Sequence, residues 1–201
     1  MVYKPFHELA TLIVVVNPIG VVPLFIAVAG QKSTAARQRI AGQAIIIAAL
    51  ILLAFIAIGQ ILLEALGVDL ASFRIAGGLV LLVIALRMVL EEPRSAVMSN
   101  PVHENVAVFP LAMPFIAGPG AILAVVLLTD NNVYTVWQQV ETAVLLLFVL
   151  ALTYGCLMGA ELIQRLLGIT GANVVSRIMG LILAALAVQS MLDGMHEILK
   201  G

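Results

Sequence analysis

Two clusters of proline and glycine interrupt long apolar stretches of this 201-residue chain, and their residue types suggest chemistry. The first is Asn17-Pro18-Ile19-Gly20 and the second is Gly118-Pro119-Gly120. In a helix interior proline costs about 3 kcal/mol and glycine about 1 kcal/mol relative to alanine, so neither stretch is expected to be a straight helix. A helix that ends at such a break offers carbonyl groups to an ammonium group or a cation, and one that begins there offers amides to a carboxylate. The two breaks therefore predict a site for a zwitterionic amino acid.

Asn17 is the polar side chain at the first break, and we expect it to contact the substrate. For the other polar residues of the apolar stretches we expect hydrogen bonds between helices; these residues are Thr11, Gln43, Gln60, Thr153, Gln189 and Ser190. Ionisable side chains are nearly missing from the middle of these stretches, which predicts a substrate that is neutral overall. It also leaves no obvious buried carboxylate as a proton carrier.

Enzymatic and metal chemistry are not indicated. The three histidines, His7, His103 and His196, have no metal-binding spacing, and no nucleophile elbow or phosphate-binding glycine loop is present. The single cysteine, Cys156, lies in an apolar run, where a small buried side chain is expected. The ten lysines and arginines form no dense block, so nucleic-acid binding is not expected. We expect neither an enzyme nor a bound cofactor.

The composition requires a membrane. Hydrophobic residues make up 63% of the chain and charged residues 10%, against about 25% charged in a typical soluble domain. About 20 apolar residues cross the hydrocarbon core as a helix, and strands of alternating polarity are absent. The fold class is therefore predicted as all-α, a polytopic membrane protein with one transmembrane domain over residues 1–201. Six spans are predicted: Leu9 to Ala29, Ala41 to Leu63, Leu70 to Leu90, Ala107 to Leu128, Thr142 to Leu162 and Val174 to Met195.

The chain also repeats itself, with a first unit over about 1–95 and a second over about 104–201. Arg74-Ile75-Ala76-Gly77 begins the third span as Arg177-Ile178-Met179-Gly180 begins the sixth, and the first and fourth spans both break at midplane. Three spans are an odd number, so the two units are predicted to be inverted copies. This pattern is typical of secondary transporters. Gly77, Gly78 and Gly180 are expected to allow close helix packing.

The charges of the loops predict the orientation. With six spans, one side of the membrane carries Lys4, Arg74 and Lys200, while the opposite side carries seven basic residues. Because cytoplasmic loops are enriched in lysine and arginine, the second side is predicted to be cytoplasmic. Both termini are then expected outside the cytoplasm.

Several runs resemble the MarC family of bacterial and archaeal inner-membrane proteins over essentially the whole chain. These runs are Asn17 to Pro23, Pro110 to Ile122, Gly77-Gly78 and Met179-Gly180-Leu181. The resemblance implies an inner-membrane location and kinship with SnatA-type transporters of small neutral amino acids such as glycine and alanine. In such a family the two matched runs would form the substrate site, with Asn17, Pro18, Gly20, Gly118, Pro119 and Gly120 as the candidate residues.

The sequence therefore predicts a secondary transporter of small neutral amino acids that works by alternating access and is coupled to H⁺ or Na⁺. Its partners are the small solute and the lipid bilayer, and a homo-oligomer is compatible with the chain. Two alternatives stay open. The first is an exporter or channel for another small solute, and the second is a non-transporting membrane scaffold in which the prolines serve only packing.

Overall fold

The computed structural model describes residues 3–90 and 107–200, and these residues form eight helical segments and no strand. In chain order the segments are α1 (Tyr3–Val16), α2 (Val21–Ala29), α3 (Thr34–Ala65), α4 (Leu70–Leu90), α5 (Ala107–Ile116), α6 (Pro119–Leu128), α7 (Val136–Met158) and α8 (Ala160–Lys200). The prediction of an all-helical chain is confirmed for this part. Residues 91–106, which join the two predicted repeats and include His103, lie outside the described residues.

Five helical stretches are long and apolar enough to cross a membrane: Pro5–Ile26, Thr34–Ala65, Leu70–Leu90, Val136–Met158 and Arg177–Leu199. Their outer surfaces carry large apolar side chains, among them Ile46, Leu50 and Leu147, which are 61%, 64% and 45% exposed. Contiguous apolar surface of this kind needs hydrocarbon rather than water around it. The chain is therefore an integral membrane protein with several membrane-spanning helices.

The fourth predicted span, Ala107 to Leu128, consists of two shorter segments, α5 and α6. Within α5 the backbone is extended at Phe109 and Met113, and each of these residues directly precedes a proline. A proline disfavours helical backbone at the residue before it, which explains both positions. Because this span is divided, the arrangement of six spans in two inverted repeats stays a prediction.

Helices α4 and α8 pack against each other in antiparallel directions, with glycines at the points of contact. A Cβ atom on Gly78 would lie 2.8 Å from the carbonyl oxygen of Ala187, and one on Gly180 would lie 3.1 Å from that of Ala85. Further along, a Cβ on Gly194 would lie 2.7 Å from the Ala71 carbonyl. The prediction of close packing at Gly78 and Gly180 is thus confirmed.

The larger core lies among the other helices and surrounds both breaks. Its fully buried side chains include Leu12 and Val16 of α1, Ile116 at the end of α5, and Leu146 and Leu150 of α7. Helix α3 packs against α5, α6 and α7 along this core. The two broken spans are therefore held in the interior of the bundle.

Candidate functional site

The first break is a tight turn organised by Asn17. This residue has a left-handed backbone (φ +51°) and is 7% exposed. Its Oδ1 accepts a hydrogen bond from the backbone N–H of Gly20 at 3.1 Å, and its carbonyl accepts one from Val21 at 3.2 Å. A Cβ on Gly20 would lie 2.1 Å from Nδ2 of Asn17, so only glycine fits there. The turn ends α1 and starts α2.

The main structural role of Asn17 is therefore to stabilise the turn. Its Oδ1 is the acceptor because the partner is an N–H group, which identifies the other atom as the donor Nδ2. Within the described residues Nδ2 makes no hydrogen bond. Pro18, which is buried, has no backbone N–H, so the carbonyl of Val14 has no helical donor four residues on. The first break thus presents the amide donor of Asn17 and, among its carbonyl acceptors, that of Val14.

The second break exposes the beginning of α6 to the protein interior. Gly118 precedes the helix with extended backbone (φ −77°, ψ 171°), Pro119 is its first residue, and no side chain caps it. The first N–H groups of a helix have no partner within the helix, and here the first residue is a proline. The free donors are accordingly the amides of Gly120 and Ala121, both of which are buried.

The two breaks meet in the bundle. A Cβ on Gly120 would lie 3.5 Å from Cγ1 of Val15, two residues before Asn17, and 2.3 Å from Cδ1 of Leu81 on α4. Helix α1 packs against α6, and α2 packs against α5. The carbonyl end of α1 and the amide end of α6 are thus neighbours. Gly120 is thus placed beside the other break, whereas Gly20 contacts Asn17 of its own break.

Glu8 corrects a prediction of the sequence, because it is a buried carboxylate in the first span. It is 1% exposed, and its Oε2 accepts a hydrogen bond from Oγ1 of Thr142 on α7 at 3.1 Å. The predicted span begins at Leu9, whereas α1 begins at Tyr3 and the apolar stretch includes residues 5–26. The burial of Glu8 could have been predicted from helical spacing, because Glu8, Leu12 and Val16 follow each other every four residues and lie on one buried face.

The other polar residues of the spans make a mixed set of contacts. Gln60 bonds between elements, because its Oε1 accepts from the N–H of Asn131 at 2.7 Å. Thr153 instead donates to the Val149 carbonyl in its own helix at 2.8 Å, and Gln189 donates to Asp193. Asn131 lies in the turn between α6 and α7, so none of Gln60, Thr153 and Gln189 makes the expected bond to another helix.

A cavity of about 200 Å³ lies at the far end of α2 from the first break. Phe25 and Tyr154 line it, together with Arg37 and Glu161, whose side chains form a salt bridge between the start of α3 and the start of α8. The Arg37 guanidinium hydrogen-bonds to Glu161 and holds the pKa of that carboxyl below its usual value. This cavity lies outside the set of residues that the sequence indicates.

Comparison with known proteins agrees with the resemblance seen in the sequence. The model of the MarC family integral membrane proteins matches residues 3–199. A UPF0056 membrane protein of Buchnera aphidicola (subsp. Schizaphis graminum) is 34% identical, over 94% of this chain and 90% of the relative. The UPF0056 membrane protein YhcE of Escherichia coli K12 is 33% identical over 94% and 91%, and the UPF0056 inner membrane protein MarC of Escherichia coli O1:K1 is 31% identical over 96% and 94%. No solved structure matches this chain.

Proposed function

From the premise that this chain belongs to the MarC family of integral membrane proteins, we propose that it is a secondary transporter of small neutral amino acids, of the glycine and alanine class. The observation that carries the proposal is the meeting of the α1 carbonyl end with the α6 amide end, at Val15 and Gly120. Because the relative in Escherichia coli O1:K1 is named an inner membrane protein, we place this chain in the same membrane.

The two helix ends complement a zwitterion. The amides of Gly120 and Ala121, at the positive end of the α6 dipole, suit the substrate carboxylate, as does Nδ2 of Asn17. The Val14 carbonyl, at the negative end of α1, suits the ammonium group. Leu81 and Val15 pack closely onto Gly120, which argues for a substrate with a small side chain.

The packing of the helices supports alternating access by inverted halves. In inverted halves α1 corresponds to α5, α2 to α6, α3 to α7 and α4 to α8, so each contact between the halves should have a counterpart. Three such pairs of contacts are present: α1–α6 with α5–α2, α1–α7 with α5–α3, and α4–α6 with α8–α2. Contacts that exchange in this manner are expected for two halves that can swap conformations.

Uptake into proteoliposomes tests the proposal. The purified protein is given labelled glycine or alanine, with proton and sodium gradients imposed separately, and is compared with Gly120→Leu and with Gly42→Leu. A Cβ on Gly42 would meet nothing within 4 Å, so that variant controls for a larger side chain in a helix. We expect saturable uptake that unlabelled substrate competes with, lowered at least about tenfold in Gly120→Leu, which equals about 1.4 kcal/mol, and unchanged in Gly42→Leu.

Two results would overturn the proposal in different directions. Uptake that rises linearly with concentration would favour a channel for a small solute. No uptake of either amino acid from folded, correctly inserted protein under any gradient would favour another solute or a scaffold.

A further inference from the structure

We propose that Glu8 is the proton-binding residue that couples this protein to a proton gradient, an inference that rests on the proposed transport function. Glu8 is 1% exposed and Thr142, which donates to it, is fully buried. Both residues lie in stretches that are apolar enough to cross a membrane. A carboxyl group at such a place is costly, and in membrane proteins it marks proton relays and ion pathways.

The geometry around Thr142 provides hydrogen bonds for both protonation states of Glu8. Oγ1 of Thr142 lies 3.1 Å from Oε2 of Glu8 and 3.1 Å from the carbonyl oxygen of Gln138. When Glu8 is ionised, Thr142 donates its proton to Oε2. When Glu8 is protonated, its O–H donates to Oγ1, and the hydroxyl proton of Thr142 turns to the Gln138 carbonyl. The heavy atoms need not move.

The chemical step is the making and breaking of one O–H bond. The carboxylate takes a proton from hydronium on one side of the membrane and leaves water; it later returns the proton to water on the other side. Oγ1 of Thr142 lies within hydrogen-bonding distance of both Glu8 and the Gln138 carbonyl, which suits a group that gains and loses a proton.

The position of Glu8 links it to the substrate site through one rigid helix. It lies nine residues before Asn17 on α1, roughly 13 Å along the helix axis. Its partner Thr142 belongs to the second predicted repeat, so the bond joins the two halves. The corresponding residue of the second repeat, when Asn17 is matched with Gly118, is Phe109, which cannot ionise. The proton site is therefore on one half only.

Other titratable groups lie at this end of the bundle. On α1 there is His7, which is exposed, and on α7 there is Glu141, which is partly buried. Asp130, at the end of α6, is 5% exposed and its Oδ1 accepts from the N–H of Asn132 at 2.9 Å. The last turns of α8 carry three exposed groups: Asp193, His196 and Glu197. Asp130 is the main competitor, because it is the other buried carboxylate among these groups.

Four variants test the proposal in proteoliposomes with labelled glycine: Glu8→Gln, Thr142→Val, Asp130→Asn at the competing carboxylate, and the control Glu64→Gln. Glu64 is an exposed carboxylate at the end of α3. Two modes are measured, accumulation driven by a pH gradient and exchange of internal for external glycine without a gradient. We expect Glu8→Gln to keep exchange and to lose gradient-driven accumulation, and Glu64→Gln to behave like the parent. Thr142→Val removes the donor to the carboxylate and should change the pH profile of uptake.

A second readout does not depend on the substrate. Infrared difference spectra between acidic and alkaline pH should contain a carboxylic acid C=O band that is absent in Glu8→Gln and displaced in Thr142→Val. If Glu8→Gln fails to fold, Thr142→Val still tests the proton site, through the position of its carboxylic acid band and through its pH profile of uptake.

The outcomes separate the two proposals. Three results would overturn the role of Glu8. The first is normal proton-driven accumulation in Glu8→Gln, and the second is loss of accumulation in Asp130→Asn instead. The third is a sodium-driven uptake that Glu8→Gln abolishes. Absence of both transport modes in the parent protein would overturn the transport function. In that case an infrared band that persists in Glu8→Gln would reject the proton site as well.

Discussion

Asn17 combines two tasks at the first break, and they involve different atoms of one side chain. Its left-handed backbone and the hydrogen bond that its Oδ1 accepts from the N–H of Gly20 form the turn. Its Nδ2 is the atom that we propose binds the substrate. Asparagine is among the few residues that adopt this backbone readily, and its side chain can bond to the chain just ahead of it. The polar residue of the break therefore serves folding as well as any contact with substrate.

Asn17→Asp separates these tasks. Aspartate also tolerates the left-handed backbone and can accept from the Gly20 N–H, but it replaces the Nδ2 donor by an oxygen that repels a carboxylate. We expect the apparent affinity for glycine in the uptake assay to fall about tenfold, and the melting temperature in detergent to fall at pH values at which the new carboxyl is ionised, because a buried carboxylate is costly. Full affinity in this variant would contradict contact between Nδ2 and the substrate.

The matched comparison is Asn17→Ala, which loses the side-chain hydrogen bond to the Gly20 N–H and keeps a Cβ atom. Loss of that hydrogen bond costs about 1 kcal/mol, and left-handed backbone costs alanine roughly 1–2 kcal/mol more. This variant should therefore unfold at a clearly lower temperature than the parent at any pH, whatever its effect on uptake.

At the scale of helices, α4 and α8 approach closely because glycines leave their backbones uncovered. A Cβ on Gly78 would lie 2.7 Å from Cγ of Met191 and 2.8 Å from the Ala187 carbonyl, and a backbone carbonyl cannot move aside cheaply. Small residues at helix contacts are the usual means of association in lipid. The same two helices are the third and sixth predicted spans, so their contact lies between the proposed halves.

We expect Gly78→Ala to lower the free energy of unfolding by about 1–3 kcal/mol, because an added atom in a packed contact forces the helices apart. Gly42→Ala is the control, since its Cβ would meet nothing within 4 Å and alanine favours a helix by about 1 kcal/mol over glycine. Denaturation of both variants in mixed micelles measures the difference. Equal stability of the two would contradict the tight α4–α8 contact.

The Arg37–Glu161 salt bridge joins the start of α3 to the start of α8 beside the cavity. Arg37 lowers the pKa of Glu161 in the folded protein below its ordinary value of 4.5, so any stabilisation is present above that pH. It is lost as the pH falls through the lowered value, where the carboxyl becomes protonated.

We therefore expect Glu161→Gln to melt slightly below the parent at neutral pH and at the same temperature as the parent in acid. The effect should be small because Glu161 is exposed, and it should shrink in high salt. Gln38, next to Arg37 and also exposed, provides a neutral control as Gln38→Ala. A difference that grows towards acid would contradict the assignment.

For the whole molecule, the orientation in the membrane is a prediction from the unequal loop charges. Single-cysteine variants in a Cys156→Ala background can measure it, because Cys156 is the one native cysteine. Lys32 and Asp69 are both exposed and lie at opposite ends of α3. We expect Asp69→Cys to react with an impermeant maleimide in intact cells and Lys32→Cys to react only after the cells are opened. The reverse pattern would place both termini in the cytoplasm.

Much of this protein could be predicted from local sequence properties. Hydropathy identifies membrane helices because each span must satisfy its own backbone in lipid, and the observed bounds of α4 equal those of the third predicted span. The breaks at Asn17 and Gly118 follow from proline and glycine, whose backbone limits act within a few residues. Even the extended backbone at Phe109 and Met113 is implied by the prolines that follow.

Only the tertiary structure decided which distant residues meet. The contact of Gly120 with Val15 and the salt bridge of Arg37 with Glu161 join positions more than 100 residues apart in the chain. The burial of Glu8 depends on Thr142 in the same way, so a carboxylate at the edge of an apolar run is assigned to the surface when the run is considered alone. Apolar spans this uniform give no preferred face, and helix packing therefore determines which side chains face each other.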